Sequence, residues 1–325
     1  MNKKLTSILI MILLIFFAVE ILTSSNSIIQ SVNFSFNVWK NNIFPSLFPF
    51  FVLSDILVNY GFVEFTGELF KPIMNKLFKM KGDTSFAFIM STISGFPSSA
   101  KYVNELYKQG TINEYEGTKL LTFTHFSNPL FILGTISILF LNNKETGLLI
   151  LICHYLGNII VGIIFREYHK YNECNNKVSL KKAINNMTKR RINNKKNFGQ
   201  ILTNAILNSI NTLLLVLGVT TVFLVITTVI DNNINLNSYY QSILNGFFEM
   251  TQGLKYVSLL NIPLKLKAII STMIISFGGL SVHMQIISIL SDTKIKYLPF
   301  LTARIIHALT SSFLVYILFD WWLSL

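Results

Sequence analysis

Charge is scarce in this sequence. Of 325 residues only 13% are Asp, Glu, Lys or Arg, about half the share in an ordinary soluble domain. That scarcity excludes a conventional water-soluble globule. Cysteine is nearly absent. Cys153 lies in an apolar run and Cys174 in a basic stretch, so there is neither a disulfide framework nor a metal-ligand spacing. Catalytic signatures are missing as well: there is no HExxH, no CxxC and no GxSxG. Lys and His in apolar segments would suit a phosphotransferase, but the acidic metal ligands of such enzymes are lacking. The expectation is a non-enzyme without a cofactor.

What remains is apolar. Hydrophobic residues make up 51% of the chain, Phe alone contributes 28 residues, and the mean hydropathy is +0.53. Several runs reach the roughly 18–20 residues that cross a bilayer. The alternation of a β-barrel is absent. The chain reads as an all-α polytopic membrane protein.

The formal charge of +12 raises nucleic acid as a partner. Much of it, however, sits in one loop. Residues 166–196 carry Lys or Arg at 166, 170, 177, 181, 182, 189, 190, 191, 195 and 196, against Glu167 and Glu173. A basic loop between apolar segments is a cytoplasmic topology determinant, and also suits anionic lipid or an acidic partner. No nucleic-acid partner is expected.

Four parts follow along the chain. Residues 1–42 hold a first span, Leu5–Leu22, and a mixed, interfacial Ser24–Asn42. The basic start resembles a signal peptide, but no clean cleavage site follows and Glu20 interrupts the run, which favours an uncleaved span. Residues 43–165 hold a span at 43–60, an interfacial helix at Gly67–Met80, a re-entrant hairpin at 85–108, a broken helix at 120–141 and a span at 148–165. Residues 166–198 form the basic loop. Residues 199–325 hold a span at 201–230, a polar 231–240, an amphipathic 241–254, a second hairpin at 264–290 and a second broken helix at 297–319. Counting crossings places the two hairpins on opposite faces, an inverted repeat. Lys255, Lys265, Lys267, Lys294 and Lys296 then fall on the outer side, against the charge rule.

Two Gly-rich, Ser-bearing tips carry the functional reading. The first is Ser94-Gly95-Phe96-Pro97-Ser98-Ser99-Ala100-Lys101; the second is Gly278-Gly279-Leu280-Ser281-Val282-His283-Met284-Gln285. Each precedes a polar interruption: Ser127-Asn128-Pro129 after the first, and Thr310-Ser311-Ser312 after the second. Broken segments at corresponding positions in two halves point to a transporter's substrate site. Opened backbone exposes N–H donors at a helix N-terminus, which favours anions. Close helix packing by small residues is the competing explanation. The ionisable groups nearby are cationic: Lys101, Arg304, and His125, His283 and His307 when protonated. With no acid within tips or broken spans, an anionic substrate would supply the counter-charge; interfacial snorkelling of Lys101 and Arg304 is the alternative. Candidate substrate contacts are therefore Gly95, Ser98, Ser99, Lys101, Ser127, Asn128, Gly278, Gly279, Ser281, His283, Gln285, Arg304, Thr310 and Ser311. Ser127, Asn128, Thr310 and Ser311 also suit a coupling ion, sodium or proton, which the residues leave unassigned.

The stretch Phe44-Pro45-Ser46-Leu47-Phe48-Pro49-Phe50-Phe51, the first tip, Phe126-Ser127-Asn128-Pro129-Leu130-Phe131, the second tip and Ala303-Arg304 together resemble the YlbJ-type sporulation integral membrane proteins. The resemblance covers most of the chain. It implies Gate (nucleoside-recognition) domains, similar to the repeats of concentrative nucleoside transporters, in which two hairpins and two broken helices enclose the substrate. It further implies a carrier moving dipicolinate into the forespore across the outer forespore membrane. A planar dianion suits cationic groups and backbone N–H donors. A nucleoside transporter and a non-transporting scaffold that recruits spore-assembly proteins through the basic loop stand as alternatives. Homo-oligomerisation is left open.

Overall fold

The computed structural model describes residues 3–169 and 177–324; Lys170, Glu173 and Cys174 lie outside them. The described chain is helical throughout. The helix α1 spans Lys3–Thr23 and lies at the periphery with most of its apolar side chains exposed, as on a lipid-facing helix. Next, α2 (Ser25–Val38) continues through a π turn (Trp39–Ile43) into α3 (Phe44–Asn59). Ser24–Asn42 is therefore no separate interfacial segment but the first half of a 35-residue apolar helix. A proline ring clashes with the carbonyl four residues earlier, and a π turn just before Pro45 is one way to relieve that clash.

Four short elements follow: α4 (Phe62–Ile73), α5 (Ser85–Ser94), α6 (Ser98–Lys108) and α7 (Glu114–Phe123). The chain then unwinds over 124–128 and resumes as a π helix, Phe131–Phe140. Pro129 explains part of this: it disfavours helical backbone at the preceding residue. Next come α8 (Lys144–Ile164) and α9 (Leu180–Asn193), the latter within the basic loop. The 36-residue α10 (Phe198–Asn233) starts at an Asn197/Gln200 capping box. Then follow α11 (Ser238–Phe248), α12 (Met250–Leu259), α13 (Leu264–Phe277), α14 (Gly279–Ile289) and α15 (Tyr297–Leu323). Six stretches among the described residues are long and apolar enough to cross a membrane.

The long helices pack antiparallel. Along α2, α3 and α10, Ser31 Oγ donates to Leu224 O, Trp39 Nε1 to Leu213 O, and Asn194 Nδ2 to Asn59 O just before α10. At one end of the bundle, Trp322 Nε1 donates to Glu145 O. At the other, the buried Lys119 Nζ donates to the carbonyls of Lys79, Arg166 and His169. This second end carries the basic loop, and α9 docks there on α4 through Lys182–Glu68 and Arg190–Glu64 ion pairs.

Both ends of the α5–α6 hairpin lie at the basic end, where Lys81 pairs with Glu116 and Arg190 donates to Gln109. The second hairpin is not where the sequence placed it. It is α11–α12, packed so closely that a Cβ on Gly253 would lie 2.2 Å from Gly246 Cα. Its open end faces the opposite end of the bundle, where Lys267 Nζ donates to Ser258 O. The expected hairpin at 264–290 is instead a crossing, α13 and α14, broken at Gly278. It starts beside Asp320 through Lys265. It finishes at the basic end, where Asn104 Nδ2 reaches Ile289 O and Lys296 N reaches Thr118 Oγ1. Correspondingly, the expected break within 297–319 does not exist. There α15 is continuous, because Thr310 and Ser312 return their hydroxyls to the carbonyls of Ile306 and Ala308. The extra crossing brings Lys294 and Lys296 to the basic end, which removes two of the five misplaced lysines.

Candidate functional site

Each half presents a hairpin whose tip meets the break of the next crossing. In the first half Gly95 takes φ +77, and a Cβ there would lie 2.4 Å from Asn128 N. Asn128 Nδ2 donates to Ser94 O, a carbonyl freed where α5 ends. In the second half Gly279, at φ +70, sits against Met250 N, Gly246 O and Phe248 O at the α11–α12 tip. The two breaks also meet each other, since a Cβ on Gly278 would lie 3.3 Å from His125 Nε2. At Gly95 only backbone without a side chain permits the approach, and at Gly278 and Gly279 the positive φ favours glycine.

Unwound backbone inside a bundle needs partners. Arg304 supplies them for the end of α7. Fully buried, its guanidinium donates to Thr122 O, to His125 O at 3.2 Å and to Asn158 Oδ1 at 3.1 Å, and contacts His307 Nδ1 at 2.8 Å. A cation at the C-terminal end of a helix is also favoured by its dipole. His154 serves the far side: its Nε2 accepts from Ser127 N at 2.8 Å, and its Nδ1 meets Ser276 Oγ at 2.9 Å. Its neighbour His125 stacks on Phe96 with ring centroids 4.6 Å apart. These bonds join α7, α8, α13 and α15 at one level.

A cavity lies where tips and breaks converge. Phe96 and Pro97 come from the first tip, Ser127 and Asn128 from the first break, and Glu249, Met250 and Thr251 from the second tip. Val282 and Gln285 of α14 and Val216 and Thr220 of α10 complete it, with Asn42 and Ser46 on the α2–α3 side. Water-sized space within it is about 50 Å³, enough for a few waters. A second cavity of about 550 Å³ opens at the basic end, walled by Asp55, Glu105, Arg190, Lys196 and several asparagines.

Of the candidate contacts, Ser127, Asn128 and Gln285 line the central cavity. Gly95, Gly278 and Gly279 shape its tips and breaks. Ser98, Ser99 and Ser281 lie buried in the first turns of α6 and α14, and Ser127 is buried at the first break. Five others stand apart. Lys101 Nζ lies 2.7 Å from Asp55 Oδ1 and forms an ion pair with it. His283 turns to Tyr297 OH and Phe277 O. Arg304 is engaged with α7, Thr310 with its own helix, and Ser311 packs against Gly157. The expectation that no acid balances these cations is corrected: Asp55 neutralises Lys101, and Glu249 is a buried acid at a hairpin tip.

Sequence reasoning missed Asp55, His154, Asn158 and Glu249. Asp55 and Glu249 had a signal, an isolated acid within an apolar run. His154 and Asn158 had none beyond polarity inside a span.

Residues 42–164 match the Gate family, described as nucleoside recognition. Over 340 aligned positions the chain is 32% identical to the sporulation integral membrane protein YlbJ of Bacillus subtilis (strain 168), covering 97% of this chain and 83% of that protein. No solved structure matches.

Proposed function

From the premise that this chain belongs to the family of YlbJ-type sporulation integral membrane proteins, we propose that it is a non-catalytic carrier for a small organic anion, dipicolinate, moved by alternating access across the outer forespore membrane. The observation that carries the reading is the meeting of two oppositely directed hairpin tips with two broken crossings around one small cavity, largely apolar with a few polar groups. Broken helices at a shared central level are how carriers expose backbone to a solute without exposing it to lipid. The α5–α6 and α11–α12 hairpins are the re-entrant elements in this proposal.

The cavity is too small for a planar ring with two carboxylates, so loading requires one hairpin to withdraw. The large polar cavity at the basic end is the vestibule for that side. The first turns of α6 and α14 then offer N–H groups and the buried hydroxyls of Ser98, Ser99 and Ser281 to the carboxylates. Lys101 and Arg304 serve assembly in this conformation rather than the anion.

One observation favours a second reading. The cavity wall offers amides and an acid, Asn42, Asn128, Gln285 and Glu249, which suit a neutral hydrogen-bonding solute such as a nucleoside. Uptake of labelled dipicolinate and of uridine into liposomes holding the full chain tests both. Saturable dipicolinate uptake supports the first reading and uridine uptake the second. Movement of neither overturns the carrier reading and favours a scaffold.

A further inference from the structure

Glu249 is the one ionisable side chain among the described residues that line the central cavity. It is buried, and no Lys, Arg or His among the described residues pairs with it. Its Oε2 accepts from Gln252 N at 2.9 Å and from the Thr251 hydroxyl, and Ser281 of α14 lies beside it.

Among the described residues, the lining around it offers no counter-charge. Here α10 presents Val216 and Thr220, the first break Ser127 and Asn128, and the α2–α3 helix Asn42 and Ser46. On α14, His283 points away toward Tyr297. Behind α12's first turn lies a separate polar pocket of about 250 Å³ that includes Asp231, Lys255 and Tyr256. The same Gln252 that donates its N–H to Glu249 reaches Asp231 Oδ2 with its Nε2 at 3.3 Å. Tyr256 OH donates to that oxygen at 3.2 Å. One helical turn thus separates the acid from a polar pocket at the opposite end of the bundle.

We infer that Glu249 is the proton-carrying group of the transport cycle: it takes up a proton when the anion binds and releases it when the anion leaves, so that anion and proton travel together. The inference rests on the carrier reading and names its coupling ion. Two carboxylates confined in one site do not both stay ionised; one holds the proton. With no cation in the wall, an entering carboxylate meets the Glu249 carboxylate at close range. Protonation removes the repulsion and turns Glu249 into a donor. The proton comes from water on the loading side, resides on one Glu249 oxygen, and returns to water on the other side.

The test is proton uptake by the purified full chain in weakly buffered solution, followed with an indicator dye as dipicolinate is added, with bound dipicolinate measured in parallel. The expected result is close to one proton per dipicolinate bound. Glu249→Gln is expected to lower that ratio at least tenfold at whatever binding remains, and Glu249→Asp to restore it. Asp292→Asn, at the exposed turn after α14, is expected to leave the ratio intact. Infrared difference spectra give a second measurement: a protonated carboxyl band appears with dipicolinate in the wild-type chain and in Glu249→Asp, and is missing in Glu249→Gln. Binding by the wild type without proton uptake, or an unchanged ratio in Glu249→Gln, overturns the inference and leaves the carrier standing. Absence of any binding or uptake by the wild type overturns the carrier reading, and this inference with it.

Discussion

Lys101 of the first hairpin faces Asp55 of α3 across 2.7 Å, with the Phe51 ring 4.9 Å from the ammonium. Asn208 of α10 reaches the other Asp55 oxygen at 3.4 Å. A hairpin arm, a long helix and its antiparallel partner are therefore tied at one buried charge pair. Breaking such a pair leaves an uncompensated charge, at a cost of roughly 3–5 kcal/mol, whereas removing both charges is often near neutral.

Single substitutions Lys101→Met and Asp55→Asn are accordingly expected to destabilise the chain by about 3–5 kcal/mol, and the double substitution to recover most of that loss. Unfolding in detergent across the double-mutant cycle measures it. Additive losses would show that the pair does not couple. If the pair couples, uptake lost on charge reversal at Lys101 would report a misassembled hairpin, not a missing substrate contact.

The glycine contacts make a graded prediction. Gly95→Ala places a Cβ against the Asn128 backbone at 2.4 Å and requires a left-handed φ, so assembly should fail. Gly278→Ala meets only His125 Nε2 at 3.3 Å, although its φ of +94 is strained, and should be milder. Gly218→Ala, with nothing within 4 Å in mid-helix, should be neutral or slightly stabilising. Yield of monodisperse protein ranks the three; equal yields would contradict the packing of tip on break.

Arg304→Lys keeps the charge and loses the fork. A single ammonium does not reach Thr122 O, His125 O and Asn158 Oδ1 together. A loss of at least about 3 kcal/mol is expected, with Arg304→Gln similar. Thermal unfolding of both variants checks it, and a wild-type melting point in Arg304→Lys would refute the cross-link.

Glu105 lines the basic-end vestibule, and burial followed by the Asp55 carboxylate pushes its carboxyl up to about 8. A raised acid is protonated in the folded chain where the unfolded chain has already ionised. Its contribution is complete below the ordinary value of 4.5 and is lost as pH rises to about 8. Glu105→Gln should flatten this fall in stability between those limits, in melting curves taken as a function of pH.

Much of the fold is legible in the sequence. Composition and run length gave the membrane class, and the Gly95–Pro97 tip with the Ser127–Pro129 interruption gave one hairpin and one break, because glycine and proline act on the local backbone. The second half was misread by one element for the same reason. Gly278 and Gly279 look like a hairpin tip, but a glycine pair marks only that the helix turns. Whether the chain then returns or continues depends on what α14 packs against, and α10, α11 and α6 receive it toward the basic end. The polar run at Thr310–Ser312 likewise looked like a break, yet hydroxyls bonded to carbonyls one turn back leave a helix intact.

The sequence by itself determined that this protein lives in a bilayer, which loop is basic, and that the backbone opens at Gly95 and before Pro129, since each is a matter of composition or of residues adjacent in the chain. Only the tertiary structure decided which charges are free. Lys101 and Asp55 are 46 positions apart, Arg304 and the carbonyls it serves are more distant still, and Glu249 becomes a cavity residue only when α11 and α12 fold against each other. Coulomb attraction and hydrogen bonding act through space, so no reading along the chain reveals whether a buried cation already has its partner.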